Sequence, residues 1–247
     1  MLTQDRHSTI LNLLKKQSSV TLTELTTLLN TSESTIRRDL TSLDKAGKLR
    51  KVYGGATSLD LYTAAEKDVQ IKHDLQITEK KLIAQKAASM IEKNDLIYLD
   101  AGTTTEFIID YLTERDATYV TNGIYHAGKL SERGFNVIII GGQLKKLTAA
   151  VIGTTAVANL KPYNFTKGFF GTNGISTHAG FSTPDPVEAC VKKTAMKHCQ
   201  KAFIVADSTK FDQITPITFA KLEDAVIITD ILKDKRYLDF TNILEVL

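Results

Sequence analysis

Cysteine is scarce in this chain of 247 residues: only Cys190 and Cys199 occur. Two thiols do not make a disulfide framework. If both lay on one helix, nine residues at ~100° each would set them on opposite faces, out of bridging reach. The histidines His7, His73, His126, His178 and His198 are scattered. No Cys/His cluster therefore supplies four zinc ligands, and neither a metal nor another cofactor is expected. Long apolar runs are missing too, since none approaches the roughly 18 residues of a membrane span. The opening MLTQDRHSTI carries charge where a secretory signal would carry its apolar stretch, so a cytoplasmic protein without a membrane partner is expected. Disorder is excluded as the main state, because hydrophobic residues make up 43% and charged residues 24%. The length allows one or two domains.

The net charge of +3 is unevenly spread. Residues 1–56 hold nine Lys/Arg against five Asp/Glu, whereas residues 57–247 hold 22 against 23. A small basic head ahead of a near-neutral body suits a polyanion such as nucleic acid.

Three short helices fit the head. The first runs from about Thr3 to Lys16, with Ile10, Leu11, Leu13 and Leu14 as its apolar side. Thr21-Leu22-Thr23-Glu24 reads as a capping box that opens a second helix, with Leu25, Leu28 and Leu29 turned to the core. A third helix spans Glu33 to Ala46, capped by Ser32 and stopped at Gly47. Its core stripe is Ile36, Leu40 and Leu43. On the other side Ser34, Arg37, Arg38 and Thr41 recur at i, i+3, i+4 and i+7, with Thr35 beside them. Two guanidinium groups and several hydroxyls on one helix face suit a DNA major groove, where Arg grips phosphates or reads guanine edges. The tight turn before this helix gives a helix-turn-helix arrangement. Lys48-Leu49-Arg50-Lys51-Val52-Tyr53-Gly54-Gly55-Ala56 then reads as a basic hairpin, the wing, with Arg50, Lys51, Tyr53 and Gly54 near the duplex backbone.

These residues resemble a known signature. Arg37-Arg38-Asp39-Leu40, Leu43, Gly47, Arg50 and Gly54-Gly55-Ala56 are similar to the head of the DeoR family of bacterial transcriptional regulators, with Tyr53 where many members carry His. The reading divides the chain into a winged helix-turn-helix at 1–57, a linker at 58–77 and an α/β body at 78–247.

In the body, helical stretches alternate with short apolar runs. Leu82, Ile83, Ala87, Met90 and Ile91 make one helix face. The runs at 96–99, 118–120, 137–140, 168–170, 202–206 and 225–228 look like strands buried on both faces of a mainly parallel sheet. Ligands of open α/β sheets bind outside the carboxyl ends of the strands. At those ends stand Asp100, Gly102, Thr103, Thr104 and Thr105; Thr121 and Asn122; Gly141 and Gly142; Gly171 and Asn173; and Asp207 and Lys210. Glycines let backbone N–H groups approach an anion, and Asp, Asn and Thr suit sugar hydroxyls. Gly102-Thr103-Thr104-Thr105 is the best phosphate cradle. It lacks the ending of a nucleotide P-loop and is not a dinucleotide fingerprint, which disfavours ATP and NAD.

The order of these segments resembles the sensor domain of the same family, with Asp100-Ala101-Gly102-Thr103-Thr104 as its sugar-phosphate loop. The resemblance implies a fold similar to ribose-5-phosphate isomerase and a phosphorylated sugar as effector. It also raises an alternative: a sugar-phosphate isomerase with an appended DNA-binding head, using Glu188 as base. The turn Gly171-Thr172-Asn173-Gly174 lacks the carboxylates such an isomerase carries. Asp185-Pro186-Val187-Glu188 is equally a helix start, with Lys192 placed to pair with Glu188 on the helix surface. The expectation is therefore a non-enzymatic regulator, a repressor acting as a homodimer or homotetramer on double-stranded operator DNA.

Overall fold

The computed structural model describes residues 3–17, 19–52, 54–57 and 73–247. Tyr53 and most of the expected linker lie outside the described residues.

The head is built from α1 (Thr3–Gln17), β1 (Ser19–Thr21), α2 (Leu22–Leu29), α3 (Glu33–Lys45), β2 (Arg50–Val52) and β3 (Gly55–Thr57). The α2 capping box forms in both directions: Glu24 N donates to Thr21 Oγ1 at 3.1 Å, and Thr21 N to Glu24 Oε2 at 2.7 Å. Gly47, at φ +62°, closes α3, with Gly47 N on Asp44 O and Lys48 N on Leu43 O. Ile10, Leu14, Leu25, Ile36, Leu40, Leu43 and Leu49 fill one core. Leu28 is not part of it and stands 56% exposed. The buried stripe of α2 is Leu22, Leu25 and Leu29, and Leu28 sits at its margin, where nothing among the described residues covers it. The wing hairpin β2–β3 is joined by β1, which pairs antiparallel with β3. That third strand, Ser19–Thr21, is too short to show a period of its own.

The body opens with α4 (Ile77–Ala88), and Met90 and Ile91 lie in the turn beyond its end. Next come β4 (Leu96–Leu99), α5 (Thr103–Tyr111), β5 (Thr118–Thr121), α6 (Ile124–Glu132), β6 (Asn136–Ile139), β7 (Gln143–Lys145), β8 (Ala150–Ile152) and α7 (Thr154–Leu160). They are followed by β9 (Phe165–Phe170), β10 (Gly174–Ser176), β11 (Gly180–Thr183), α8 (Pro186–Lys197), β12 (Cys199–Val205), β13 (Ile217–Ala220), β14 (Val226–Thr229) and β15 (Ile243–Glu245). Seven strands form one parallel sheet in the order β15-β14-β12-β9-β4-β5-β6. Neighbouring residues fall into opposite cores: Tyr98, Val120, Phe170, Ile204 and Ile227 on one face, Leu99, Tyr119, Phe169, Phe203 and Ile228 on the other. This explains the unbroken apolar runs. One run departs from that rule. β6 is an edge strand, and Ile138 and Ile139 are 38% and 43% exposed. A small sheet, β10-β11-β13, and the hairpin β7–β8 stand apart from the main sheet. Cys190 lies on α8 and Cys199 opens β12, so the two do not share a helix.

Candidate functional site

On α3, Ser32 Oγ accepts from Thr35 N at 3.3 Å and also meets the hydroxyls of Ser34 and Thr35. Ser34, Arg37 and Arg38 are exposed, while Ile36, Asp39, Leu40 and Leu43 are buried. The outer face is thus the one the spacing specified. Arg37 is engaged there: its Nη2 and Nε donate to Glu33 Oε1 at 2.5 and 2.9 Å. Arg38 makes no hydrogen bond or ion pair among the described residues. The wing lies beside this face, with Lys51 Nζ donating to Thr41 Oγ1 at 2.7 Å and Lys51 N to Asp44 Oδ1 at 3.2 Å. Arg50 is exposed on β2, and Gly54 makes the turn at φ +87°.

The inner side of α3 holds a carboxylate that the periodicity did not single out. Asp39 is 5% exposed and accepts from Arg6 and His7 of α1. Burial pushes its carboxyl up, but the hydrogen bonds and charges of Arg6 and then His7 outweigh this and hold it below the usual range.

At the carboxyl ends of the body strands, the groups nearest the middle of the sheet are bonded together. Asp100 follows β4 and is 1% exposed. Its Oδ2 accepts from Gly171 N at 3.1 Å and from Lys192 Nζ, which also donates to Gly171 O at 3.1 Å. Burial raises the Asp100 carboxyl above its ordinary value; Lys192 and the Gly171 amide oppose this, and the charge of Glu188 adds to it. Asn122 Oδ1 accepts from Ala101 N at 2.8 Å and from Tyr98 Oη at 3.0 Å, and its Nδ2 donates to Val151 O. Thr121 Oγ1 donates to Leu99 O at 2.6 Å. The Thr105 hydroxyl reaches Asp100 O and Gly102 O, and lies 3.0 Å from His126 Nε2. Thr105, Thr121 and Asn122 therefore spend their polar groups on fixing the loops. Gly102 caps α5 with no side-chain hydrogen bond, in contrast to the Thr21, Ser32 and Asp185 caps.

Sequence reasoning missed two groups here. His126 is 3% exposed beneath the Gly102 loop. Burial, with the nearby charges of Lys129 and Lys192, pushes its imidazole down to about 3, against a raising contact with the Gly102 carbonyl. Lys192 was expected to pair with Glu188 on the helix surface. It is instead 6% exposed and reaches Asp100, because α8 turns this face toward the sheet. Glu188 pairs elsewhere: its Oε1 accepts from Thr148 Oγ1 at 2.6 Å and lies 3.2 Å from Lys145 Nζ. Asp185 caps α8 and also binds Lys145.

The remaining expected residues stand outside this bonded cluster. Asp207 binds its own turn through Thr209, and Lys210 ends that turn. Gly141 O accepts from Asn159 and Gly142 sits at φ +154°, both at the end of the edge strand. Asn173 Oδ1 accepts from Thr183 Oγ1 at 3.3 Å.

Two family models match the chain, the DeoR-like helix-turn-helix domain over residues 6–61 and the DeoR C terminal sensor domain over residues 75–231. Among curated proteins, the chain is 43% identical over 243 residues to the HTH-type transcriptional regulator FruR of Bacillus subtilis (strain 168), covering 98% of this chain and 95% of that one. It is 30% identical over 248 residues to the lactose phosphotransferase system repressor of Streptococcus mutans serotype c, covering 99% and 98%. Among solved structures, ribose 5 phosphate isomerase A from Neisseria gonorrhoeae aligns with TM-score 0.41 and 14% identity, covering 54% of this chain and 53% of that one. The sorbitol operon regulator SorC from Klebsiella pneumoniae aligns with TM-score 0.37 and 10% identity over 83% and 89%. No helix among the described residues is long and apolar enough to cross a membrane. With a helix-turn-helix at one end, the matched sensor domain at the other and full-length relatives named as regulators, the chain belongs to the DeoR family of DNA-binding transcriptional regulators.

Proposed function

We propose that the protein is a repressor whose hold on operator DNA is controlled by a phosphorylated sugar bound at the carboxyl ends of β4, β5 and β9. The observation that carries this reading is the uncapped start of α5 at Gly102, beside the buried cluster of Asp100, Gly171 and Lys192. Free backbone N–H groups and the positive end of a helix favour a phosphate. Thr103 and Thr104, whose hydroxyls are not consumed by the loop, stand at the same place. The sugar hydroxyls then face Asp100, Lys192 and Glu188. On the head, Arg38 enters the groove first, and Arg37 joins it at the cost of a surface ion pair worth about 0.3–0.5 kcal/mol. Arg50, Lys51 and Gly54 follow the backbone. Two heads on one palindrome require a homodimer or homotetramer.

The body is a sensor rather than an isomerase. The base an isomerase would need, Glu188, is held by Thr148 and Lys145, and the Gly171–Gly174 turn carries no carboxylate. The effector releases DNA only if it binds the non-DNA-binding arrangement more tightly; a ~100-fold loss of operator affinity takes about 2.7 kcal/mol of differential binding. The test is a thermal-shift screen of pentose and hexose phosphates, followed by operator titration with and without each stabilising compound. One compound that raises the melting temperature and weakens operator binding is expected. Operator affinity unmoved by every stabilising compound refutes the reading, and turnover of one of them restores the isomerase.

A further inference from the structure

The β7–β8 hairpin is anchored at two places beside the proposed sugar site. On one side it is stitched to the loop after β5: Val151 N donates to Asn122 O at 2.7 Å, Asn122 Nδ2 to Val151 O at 3.3 Å, and Ile124 N to Ala149 O at 3.0 Å. On the other side it is pinned to the start of α8. Lys145 Nζ donates to Asp185 Oδ2 at 2.7 Å and lies 3.2 Å from Glu188 Oε1, and Thr148 Oγ1 donates to the same Glu188 oxygen at 2.6 Å. The hairpin thus runs as a strap from the Asn122 loop to α8. Its tip is held from outside, since Ala149 sits at φ +49°, a left-handed backbone that a residue with a Cβ disfavours.

The α8 anchor is made with a residue of the site. Glu188 precedes Lys192 by one turn of α8, so the two side chains leave the helix on one face. Both are buried, and Lys192 reaches Asp100 there. The negative charge of Glu188 adds to the upward push on the Asp100 carboxyl, so the two carboxylates share one electrostatic environment. Glu188 therefore has Asp100 and Lys192 near it in the site and the strap bonded to its carboxylate. What the strap offers that carboxylate is an alcohol hydroxyl, the same donor a sugar carries.

We propose that Thr148 is a specificity-determining residue of the sensor: its hydroxyl occupies the place of a sugar hydroxyl on Glu188, and the effector has to displace it. This rests on the sugar-phosphate reading above and deepens it. The phosphate sits at the start of α5, and a hydroxyl of the same molecule takes over Glu188. A phosphate without such a hydroxyl fills the first place and leaves the strap latched. Lys145 stays between Asp185 and Glu188 while Thr148 lets go, so the exchange leaves no buried carboxylate without a cation. The freed tip relays the exchange through Ala149 O to Ile124 N at the start of α6.

Titration of the full chain with ribose 5-phosphate, glucose 6-phosphate, fructose 1-phosphate, fructose 6-phosphate and inorganic phosphate tests it. Thr148→Val keeps the shape of the side chain and removes the competing hydroxyl, while Lys145 still faces Glu188. A sugar phosphate that binds the wild type should bind Thr148→Val about tenfold tighter, the weight of one hydrogen bond to a charged group. Thr148→Ala, which adds no apolar contact, should gain alike, and Thr148→Ser should return to the wild-type affinity. Inorganic phosphate should bind wild type and variants equally. A residue that merely braced the fold would weaken binding when removed, so the sign of the change separates the two roles. Sugar affinity unchanged or lowered in Thr148→Val and Thr148→Ala overturns the inference and leaves the sensor reading standing, and so does an equal gain for inorganic phosphate. A wild type that binds none of the sugar phosphates overturns both.

Discussion

Arg6 grips Asp39 with two prongs, Nε to Oδ2 at 2.7 Å and Nη2 to Oδ1 at 3.1 Å, so the first helix of the head fixes the angle of the helix proposed to enter DNA. The contact joins residues 33 apart in sequence. It explains why an aspartate occupies the buried side of an otherwise apolar stripe.

Asp39→Asn should lower the stability of the head by about 1–3 kcal/mol, since a desolvated guanidinium partner loses its charge-assisted bonds. Its carboxyl is held below the ordinary range in the fold, so the stabilisation is complete above the unfolded value near 4 and fades as pH falls through the folded one. Thermal melts from pH 7 to pH 3 should show this acid loss in the wild type, and the variant should show less of it.

Arg38→Ala should weaken operator binding with no change in melting temperature, because its guanidinium holds nothing else among the described residues. If it contacts a phosphate, the slope of log affinity against log salt should flatten by about one. Glu33→Gln should tighten binding modestly by freeing Arg37 and removing a negative charge. Fluorescence anisotropy across a salt series checks both.

Gly55→Ala should cripple the wing, whereas Gly54→Ala should not. A Cβ at Gly55 would stand 2.0 Å from the Val20 carbonyl oxygen, inside the β1–β3 pairing. At Gly54 the space is open, and the cost is only the positive φ, about 1 kcal/mol. Melting and operator titration of the two variants should diverge sharply.

His126→Gln should flatten the acid side of the body's stability profile. The buried imidazole stays neutral down to about 3 in the fold but protonates near 6.5 when unfolded. The unfolded chain therefore binds more protons between those values, and stability declines as pH falls below about 6.5. An unaltered profile in the variant would show that other groups set the acid limb.

Thr104→Glu should abolish the response to the effector and spare DNA binding, because a carboxylate placed at the start of α5 competes with a phosphate for the same N–H groups. Lys192→Met should do so at a greater cost in stability, since it leaves Asp100 buried without its cation. A normal thermal shift in Thr104→Glu would remove the Gly102 loop from the site.

Much of this architecture is legible in the linear chain. The Thr21–Glu24 capping box, the Ser32 cap and the Gly47 stop are local, formed by groups within four or five residues of one another, and each forms as read. All six apolar runs become parallel strands, and for every run but the one at the β6 edge it is burial on both faces that leaves the unbroken hydrophobic imprint. The outer face of α3 follows from helical spacing. By contrast, β1, β7, β8, β10, β11, β13 and β15 are not legible in the chain, since segments of three or four residues carry too short a pattern to show a period.

The candidate site divides along the same line. Sequence alone determined that hydroxyls, glycines and Asp100 would gather at one edge of the sheet, because strand ends are marked locally by the residues that follow an apolar run. Only the tertiary structure decided which of them remain free. Thr105, Thr121 and Asn122 are absorbed into loop-fixing bonds, Lys192 turns from Glu188 to Asp100, and the Ile138–Ile139 run emerges at an open edge rather than in the core. Hydrogen-bond partners and sheet order join residues tens of positions apart, and a local pattern carries no record of which distant group a side chain will meet.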